Sequence, residues 1–246
     1  MSYRVLLLAA LVSTAFGCDG APGRPAADSA VVAPNKVVDF GLLYATNCAG
    51  CHGANGSGGA AIGLADPVYL AIADDATIRR VTSDGVPGTA MPAFAQGAGG
   101  LLTEEQIDAI VKGIRARWGK PNVLGDADVP PYAAPAAGNP ARGADVYARY
   151  CSSCHGADGR GGQRAGSIVE GTYLALVSDQ GLRTTVIVGR PEMGAPDWRG
   201  NVPGTPLSSE DVSDVVAWLA ARRPRLSRPD SSSRDAREAF TVGGLQ

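Results

Sequence analysis

The sequence predicts an all-α fold that is built from two tandem helical units. A Cys-x-x-Cys-His-Gly run at residues 48–53 returns at residues 151–156, an offset of 103 residues. Each run is followed by a glycine-rich turn segment and, later, by an apolar stripe at helical spacing. The offset persists along both units with small drifts. The chain of 246 residues is long enough for two small domains.

The individual helices follow from periodicity and from start and stop signals. The first unit opens with a predicted helix over residues 39–48, in which Phe40, Leu43 and Tyr44 share one face. Further helices are predicted over residues 76–83 and 180–188, and each ends at a glycine, Gly85 or Gly189. Residues 103–106 and 208–211 have the pattern of a capping box, and each begins a closing amphipathic helix.

The repeated cysteine motif carries the chemistry. In a Cys-x-x-Cys-His run, two thiols can add to the vinyl groups of a haem while the adjacent imidazole binds the iron. The candidate residues are Cys48, Cys51 and His52 in the first unit and Cys151, Cys154 and His155 in the second. A zinc site or a disulfide is the alternative. Zinc sites, however, usually take four protein ligands, and each motif offers three.

Counting the remaining ligands indicates one methionine for each iron. The chain has two histidines, both inside the motifs, and three methionines, of which Met1 starts the chain. Met91 follows His52 by 39 residues, and Met193 follows His155 by 38. Both lie in Pro/Gly-rich loops, which suit the presentation of a side chain to a metal. The alternative is that each methionine is a flexible core residue.

The N-terminal residues are typical of an export signal. Arg4 precedes an apolar run over residues 5–16 that is too short to span a bilayer. Residues 1–17 are therefore interpreted as a signal peptide. Cys18 follows at once, in a context that resembles a bacterial lipobox, and is predicted to be lipidated; ordinary cleavage that leaves a free Cys18 is the alternative. The expected location is the periplasm or the outer face of the inner membrane.

Composition divides the rest of the chain. Residues 18–35 are interpreted as a flexible tether, 36–120 as the first domain, 121–137 as a Pro/Ala-rich linker, 138–224 as the second domain and 225–246 as a disordered tail.

The net charge of −2 excludes a polybasic nucleic-acid binder. Arg79, Arg80 and Arg183 are interpreted as solvated charges on helices; the alternative is that they pair with haem propionates.

These motifs resemble those of the class I cytochromes c, and of the two-domain dihaem members in particular. Tyr44 and Tyr147 each stand four residues before the first motif cysteine. Each motif is followed by a methionine in a loop and by a closing helix. The resemblance implies two covalently bound c-type haems. It also implies proximal ligands His52 and His155, distal ligands Met91 and Met193, and first and last helices that cross against each haem.

Two departures from the family pattern lead to further expectations. The aromatic residue that usually lies on the closing helix is Trp218 in the second unit, but its counterpart is Gly113 in the first. Trp118 lies one turn later. The first haem is therefore expected to be the more exposed one. Family members often hold the proximal imidazole with a backbone carbonyl at a proline; Pro67 is a distant candidate, and the second unit offers none.

The resemblance implies an electron-transfer protein with no catalytic residue of its own. It would pass single electrons between periplasmic or membrane partners, such as a respiratory complex, an oxidase or a dehydrogenase. The alternatives are a haem enzyme of the peroxidase or thiosulfate type, a haem subunit of a larger complex, and a sensory haem module. Dihaem peroxidases generally add histidine ligands, and the thiosulfate enzymes place a cysteine on one iron. Cys18 is the only cysteine of this sequence that lies outside the two motifs.

Overall fold

The computed structural model describes residues 32–224. The predictions for residues 1–17, for Cys18, for most of the tether and for the tail 225–246 lie outside the described residues. Contacts divide the chain into residues 1–37 and residues 38–246. The described part of residues 1–37 contains a 3₁₀ turn, Pro34–Lys36. Residues 38–246 contain both repeats.

Residues 38–224 are helical and contain no strand. The first repeat contains α1 (Phe40–Asn47), α2 (Ala49–His52), α3 (Pro67–Ile72), α4 (Asp75–Asp84) and α5 (Glu104–Trp118); the second contains α6 (Pro140–Tyr150), α7 (Ser152–His155), α8 (Gly171–Leu176), α9 (Asp179–Val188) and α10 (Ser209–Ala220). Two 3₁₀ turns, Gln96–Ala98 and Pro191–Met193, lie between them. No helix within residues 32–224 combines the length and the apolar character that a membrane span requires.

The helices begin where the sequence predicts. Both capping boxes form: Thr103 and Gln106 cap each other's backbone at the start of α5, and Ser208 and Asp211 do so at the start of α10. Two helices end at Gly85 and Gly189, whose φ angles are 67° and 74°. Such positive angles favour glycine because it has no Cβ. The predicted helices are therefore confirmed to within one or two residues.

In each repeat the first and last helices cross, and a glycine permits the close approach. In the first repeat α1 packs on α5, where a Cβ on Gly113 would lie 2.1 Å from the Phe40 ring. In the second repeat α6 packs on α10, where a Cβ on Gly143 would lie 2.1 Å from the Asp214 carbonyl oxygen. Apolar residues of the closing helices, Ile107 and Val212 among them, are fully buried at these crossings.

One arginine in each repeat ties the end of the closing helix to the short middle helix. Arg115 on α5 donates to the carbonyl oxygens of Leu70 and Ala73 and forms an ion pair with Asp75. In the second repeat Arg223 donates to Leu174 and Val177, at 3.0 and 2.8 Å, and pairs with Asp179. Carbonyls at the C-terminal ends of α3 and α8, which lack partners within the helix, are satisfied in this way.

The predicted linker is attached to the second repeat. Arg183 on α9 is only 2% exposed, and its guanidinium donates to the carbonyl oxygens of Pro131 (2.9 and 3.0 Å) and Tyr132 (3.2 Å). It also donates to the hydroxyls of Ser209 and Ser213 on α10, each at 3.1 Å. The interpretation of Arg183 as a solvated helix charge is wrong, because this cation is buried and compensated by neutral oxygens.

The corresponding arginine of the first repeat has charged partners. Arg79 forms ion pairs with Glu104 and Asp108 on α5. In the second repeat Ser209 and Ser213 occupy the positions of these carboxylates. The carbonyls of the linker supply the other hydrogen-bond acceptors of the Arg183 guanidinium. Residues 131 and 132 thus lie at a fixed place on the second repeat.

Candidate functional site

Each Cys-x-x-Cys-His motif forms a single helical turn directly after the first helix of its repeat. Cys48 ends α1, and the His52 amide donates to the Cys48 carbonyl at 3.0 Å. Cys151 and His155 are joined by the same bond at the same distance. None of the four motif cysteines forms a disulfide within the described residues, so all four are available for attachment, and burial raises the pKa of the unmodified Cys48 and Cys151 thiols to about 11. The turn thus brings two thiols and one imidazole together, as attachment of a flat macrocycle requires.

Both imidazoles are fixed by a backbone carbonyl. His52 Nδ1 lies 2.8 Å from the Ile62 carbonyl oxygen, and His155 Nδ1 lies 2.8 Å from that of Gly166. When Nδ1 donates this bond, the lone pair of Nε2 is free to bind a metal. Burial also lowers the pKa of His52 below 6.5, which favours the neutral ligand form, while the bond to Ile62 opposes this shift. The expectation of a backbone acceptor is correct, but the candidate Pro67 is wrong.

A buried tyrosine closes the loop that follows each motif. The Tyr44 hydroxyl donates to the Gly53 carbonyl oxygen at 2.8 Å, and Tyr147 donates to Gly156 in the second repeat. Gly53 has a φ of 82°, and a Cβ there would lie 1.8 Å from the Ser57 carbonyl oxygen. The glycine after the histidine is therefore required by both the turn and the packing.

The tyrosines also meet the tryptophans of the closing helices. The Tyr44 ring lies edge-on to Trp118 with 5.0 Å between centroids, and the Tyr147 ring stacks on Trp218 at 4.2 Å. Trp118 thus supplies, from one turn later, the aromatic contact that Gly113 lacks.

The predicted distal ligands lie on the loops that follow α4 and α9. Met91 is partly buried, and its carbonyl oxygen accepts from the Val86 amide at 3.0 Å. Met193 ends the 3₁₀ turn Pro191–Met193 and is 73% exposed. Among the predicted ligands, those of the first site are the more buried; the relative exposure of the two haems stays a prediction. His52 is 8% exposed, whereas His155 is only partly buried.

The donor set fits a covalently attached haem in each repeat. In each repeat the motif supplies two thiols and a carbonyl-bonded imidazole with Nε2 available. We call these residues, together with the predicted methionine ligand, the first site (Cys48, Cys51, His52 and Met91) and the second site (Cys151, Cys154, His155 and Met193). No group of three or more His, Cys, Asp or Glu side chains within residues 32–224 is arranged to hold a metal ion by itself. Ligation by Met91 and Met193 stays a prediction.

A family model described as "Cytochrome C oxidase, cbb3-type, subunit III" matches residues 39–112 and again residues 138–219. The chain belongs to this family. The double match confirms the predicted dihaem class I cytochrome c with an all-α fold, and with it covalently bound c-type haem. Two matched segments, each with one motif, fit two haems in this cytochrome.

Curated relatives point to the same family. The cytochrome is 30% identical over 190 residues to the "Cytochrome bc1 complex cytochrome c subunit" of Mycobacterium tuberculosis; the aligned region covers 74% of this chain and 63% of that protein. It is 31% identical over 187 residues to the "Cbb3-type cytochrome c oxidase subunit CcoP" of Cereibacter sphaeroides; here the aligned region covers 72% of this chain and 58% of that protein. The chain thus spans less than two thirds of the length of these relatives.

A solved structure entitled "Kuenenia stuttgartiensis reducing HAO-like protein complex Kustc0457/Kustc0458" superimposes with a TM-score of 0.41 and 19% identity, covering 79% of this chain and 100% of that one.

Proposed function

We propose that this cytochrome transfers single electrons between partner proteins of a membrane respiratory chain. The observation that carries the proposal is the paired arrangement of the ligands. In each repeat a carbonyl fixes the imidazole at Nδ1, and a methionine lies on the loop after the fourth helix. The family and the respiratory subunits among its relatives support the same activity.

The proposed ligand sets are His52 with Met91 and His155 with Met193. A bound haem iron would supply a one-electron couple, and a thioether opposite an imidazole favours the reduced state. If Met91 and Met193 hold the irons as proposed, substrate could reach an iron only by displacing a methionine. These residues would set the potential of the haem and exclude other ligands. Exclusion of other ligands suits an electron carrier, whereas a haem enzyme needs an iron that its substrate can reach.

The partners and the location follow as finer parts of the proposal. The relatives are named as subunits of a bc1 complex and of a cbb3-type oxidase, so we propose a quinol-oxidising complex or a terminal oxidase as the partner. Residues 1–17 would export the chain, and lipidated Cys18 would hold it at the outer face of the inner membrane. The domain boundaries 36–120 and 138–224 belong to the same proposal.

Rapid mixing of the matured dihaem protein with candidate partners tests this function. The reduced protein should be oxidised within milliseconds to seconds by membranes that contain a haem–copper oxidase, and cyanide should abolish the reaction. The oxidised protein should be reduced by membranes that contain a quinol-oxidising complex. Turnover of peroxide or thiosulfate by the purified protein alone, without such electron exchange, would instead support the enzyme alternative.

A further inference from the structure

Both methionine loops contact the opposite repeat. Arg190 begins the loop that carries Met193, and its Nη2 donates to the Gly59 carbonyl oxygen of the first repeat at 2.7 Å. In return, the Ala90 amide, next to Met91, lies 3.4 Å from the Leu176 carbonyl oxygen of the second repeat. The loop that carries each predicted methionine ligand is therefore in contact with the other repeat.

Arg190 is built into the Met193 loop. Its amide and carbonyl exchange hydrogen bonds with Ala195 at 2.9 and 3.0 Å, and its carbonyl also accepts from the Met193 amide at 2.8 Å. Its Nε pairs with Glu192 Oε1 at 2.6 Å, which orients the guanidinium. The Arg190 side chain is 19% exposed. This geometry makes the arginine a rigid extension of the loop that carries the ligand.

The accepting carbonyl belongs to the loop that fixes His52. A Cβ on Gly59 would lie 2.2 Å from the Cys51 carbonyl oxygen, so this segment packs directly on the motif. Two residues further on, the Ala61 amide donates to the same carbonyl at 2.9 Å, and the next residue, Ile62, holds His52 Nδ1. A movement of Gly59 would therefore be transmitted to the first proximal imidazole.

A cleft of about 250 Å³ lies beside this contact, and among residues 32–224 Arg190 is the only cation that lines it. Asp66 from the first repeat and Glu192 from the second also line it. Burial raises the pKa of Asp66, and the negative charges of Asp197 and Glu192 raise it further. Arg190 thus joins two surfaces that would otherwise present carboxylates to each other.

We propose that Arg190 is a positioning residue that couples the two sites by linking the Met193 loop to the loop that holds His52. The inference rests on the proposed pair of His/Met haems. A change of the distal ligand at the second site would then alter the potential of the first haem. Because coupling is reciprocal, the oxidation state of either haem would alter the reduction equilibrium of the other by the same factor.

A double-mutant cycle on the matured protein tests the coupling. The wild type, Met193→His, Arg190→Ala and the double variant are each titrated against potential, and electron paramagnetic resonance g-values of the first haem are recorded. Met193→His should shift the equilibrium constant of the first haem by about fivefold, near the lower end of typical couplings. In the Arg190→Ala background this shift at the first haem should be lost.

Arg160→Ala provides the matched control. Arg160 pairs with Asp158, two residues away, just as Arg190 pairs with Glu192, but its side chain is 81% exposed, whereas Arg190 also reaches Gly59 of the first repeat. The shift at the first haem should persist in the Arg160→Ala background. Arg183 would still hold the linker, so Arg190→Ala is expected to fold, as circular dichroism and thermal unfolding would verify.

The outcomes separate the two proposals. If both haems are six-coordinate but Met193→His leaves the first haem unchanged, or if its effect survives in Arg190→Ala, the coupling role of Arg190 is wrong and the carrier function stands. If the wild type lacks low-spin His/Met signals, the proposed ligand sets themselves fail.

Discussion

Gly113 on α5 faces Phe40 on α1 so closely that a Cβ on the glycine would lie 2.1 Å from the phenylalanine ring. The second repeat makes the same helix crossing with the roles exchanged. There the first helix supplies Gly143, and a Cβ on it would lie 2.7 Å from the Cβ of Trp218 on the last helix. Each crossing therefore accommodates one aromatic residue and one glycine.

The close packing of Gly113 on the Phe40 ring predicts that Gly113→Ala destabilises the first repeat. Alanine favours a helix over glycine by about 1 kcal/mol, but overpacking against Phe40 typically costs about 1–3 kcal/mol, so the net effect is a loss of stability. Denaturant unfolding checks the prediction, with Gly97→Ala as a control because a Cβ on Gly97 would meet nothing within 4 Å. Combining Phe40→Gly with Gly113→Trp should recover stability relative to Gly113→Trp alone; failure to recover it would contradict the account.

Tyr44→Phe should destabilise the protein and reduce its sensitivity to alkali. The hydroxyl bond to Gly53 is worth about 1 kcal/mol. Burial raises the Tyr44 pKa from 10.0 to about 12, so the folded state keeps a proton that the unfolded state loses. This contribution to stability is complete below pH 10 and disappears as the pH rises through about 12. Unfolding free energies measured between pH 9 and 12 should fall less steeply in Tyr44→Phe; an unchanged slope would show that the hydroxyl does not titrate in this way.

Met91→His should lower the potential of the first haem, and Met193→His that of the second. Replacing a thioether by an imidazole stabilises the ferric state, by on the order of 100 mV within the ~0.8 V range that axial ligands span. Spectroelectrochemical titration measures both potentials, and the main effect should fall on the haem of the substituted repeat. A methionine whose replacement leaves both potentials unchanged is not an iron ligand.

Arg115→Ala should destabilise the first repeat by about 2 kcal/mol or more. The substitution leaves the carbonyls of Leu70 and Ala73 without their charged donor, and hydrogen bonds to charged groups contribute about 1.5–3 kcal/mol each. Lys112→Ala on the same helix serves as the control because Lys112 is exposed. Equal midpoints of chemical unfolding for the two variants would remove the structural role of Arg115.

Cys18→Ser should release the protein from membranes without changing its haem spectrum. Lipidation at Cys18 would provide the anchor, whereas the haem ligands lie elsewhere. Fractionation of cells, together with the mass of the mature N-terminal peptide, measures this. An unmodified Cys18 in the mature wild-type protein would exclude the lipid anchor.

Much of the fold is readable from the sequence because its signals are local. The motif turn at Cys48–His52, the capping box at Thr103 and the stop at Gly85 each need only a few neighbouring residues. The carbonyls of Ile62 and Gly166, which fix the imidazoles, could not be predicted because a backbone acceptor carries no side-chain signature.

Contacts between segments that are far apart in the sequence could not be predicted either. Arg183 reaches the linker over about fifty residues and Arg190 reaches Gly59 over 131, and an arginine in a sequence does not reveal its acceptor. The assumption that helix arginines are solvated failed at Arg183 because neutral oxygens, rather than carboxylates, surround it.

Titration of the matured protein against potential, with and without carbon monoxide, tests the proposed ligation most directly. The account predicts two reversible one-electron steps at positive potential, low-spin spectra in both states and no carbon monoxide adduct, because an imidazole and a thioether fill both axial positions of each iron. A carbon monoxide adduct on either reduced haem would contradict the account, since the methionine of that site would then be labile or absent from the iron.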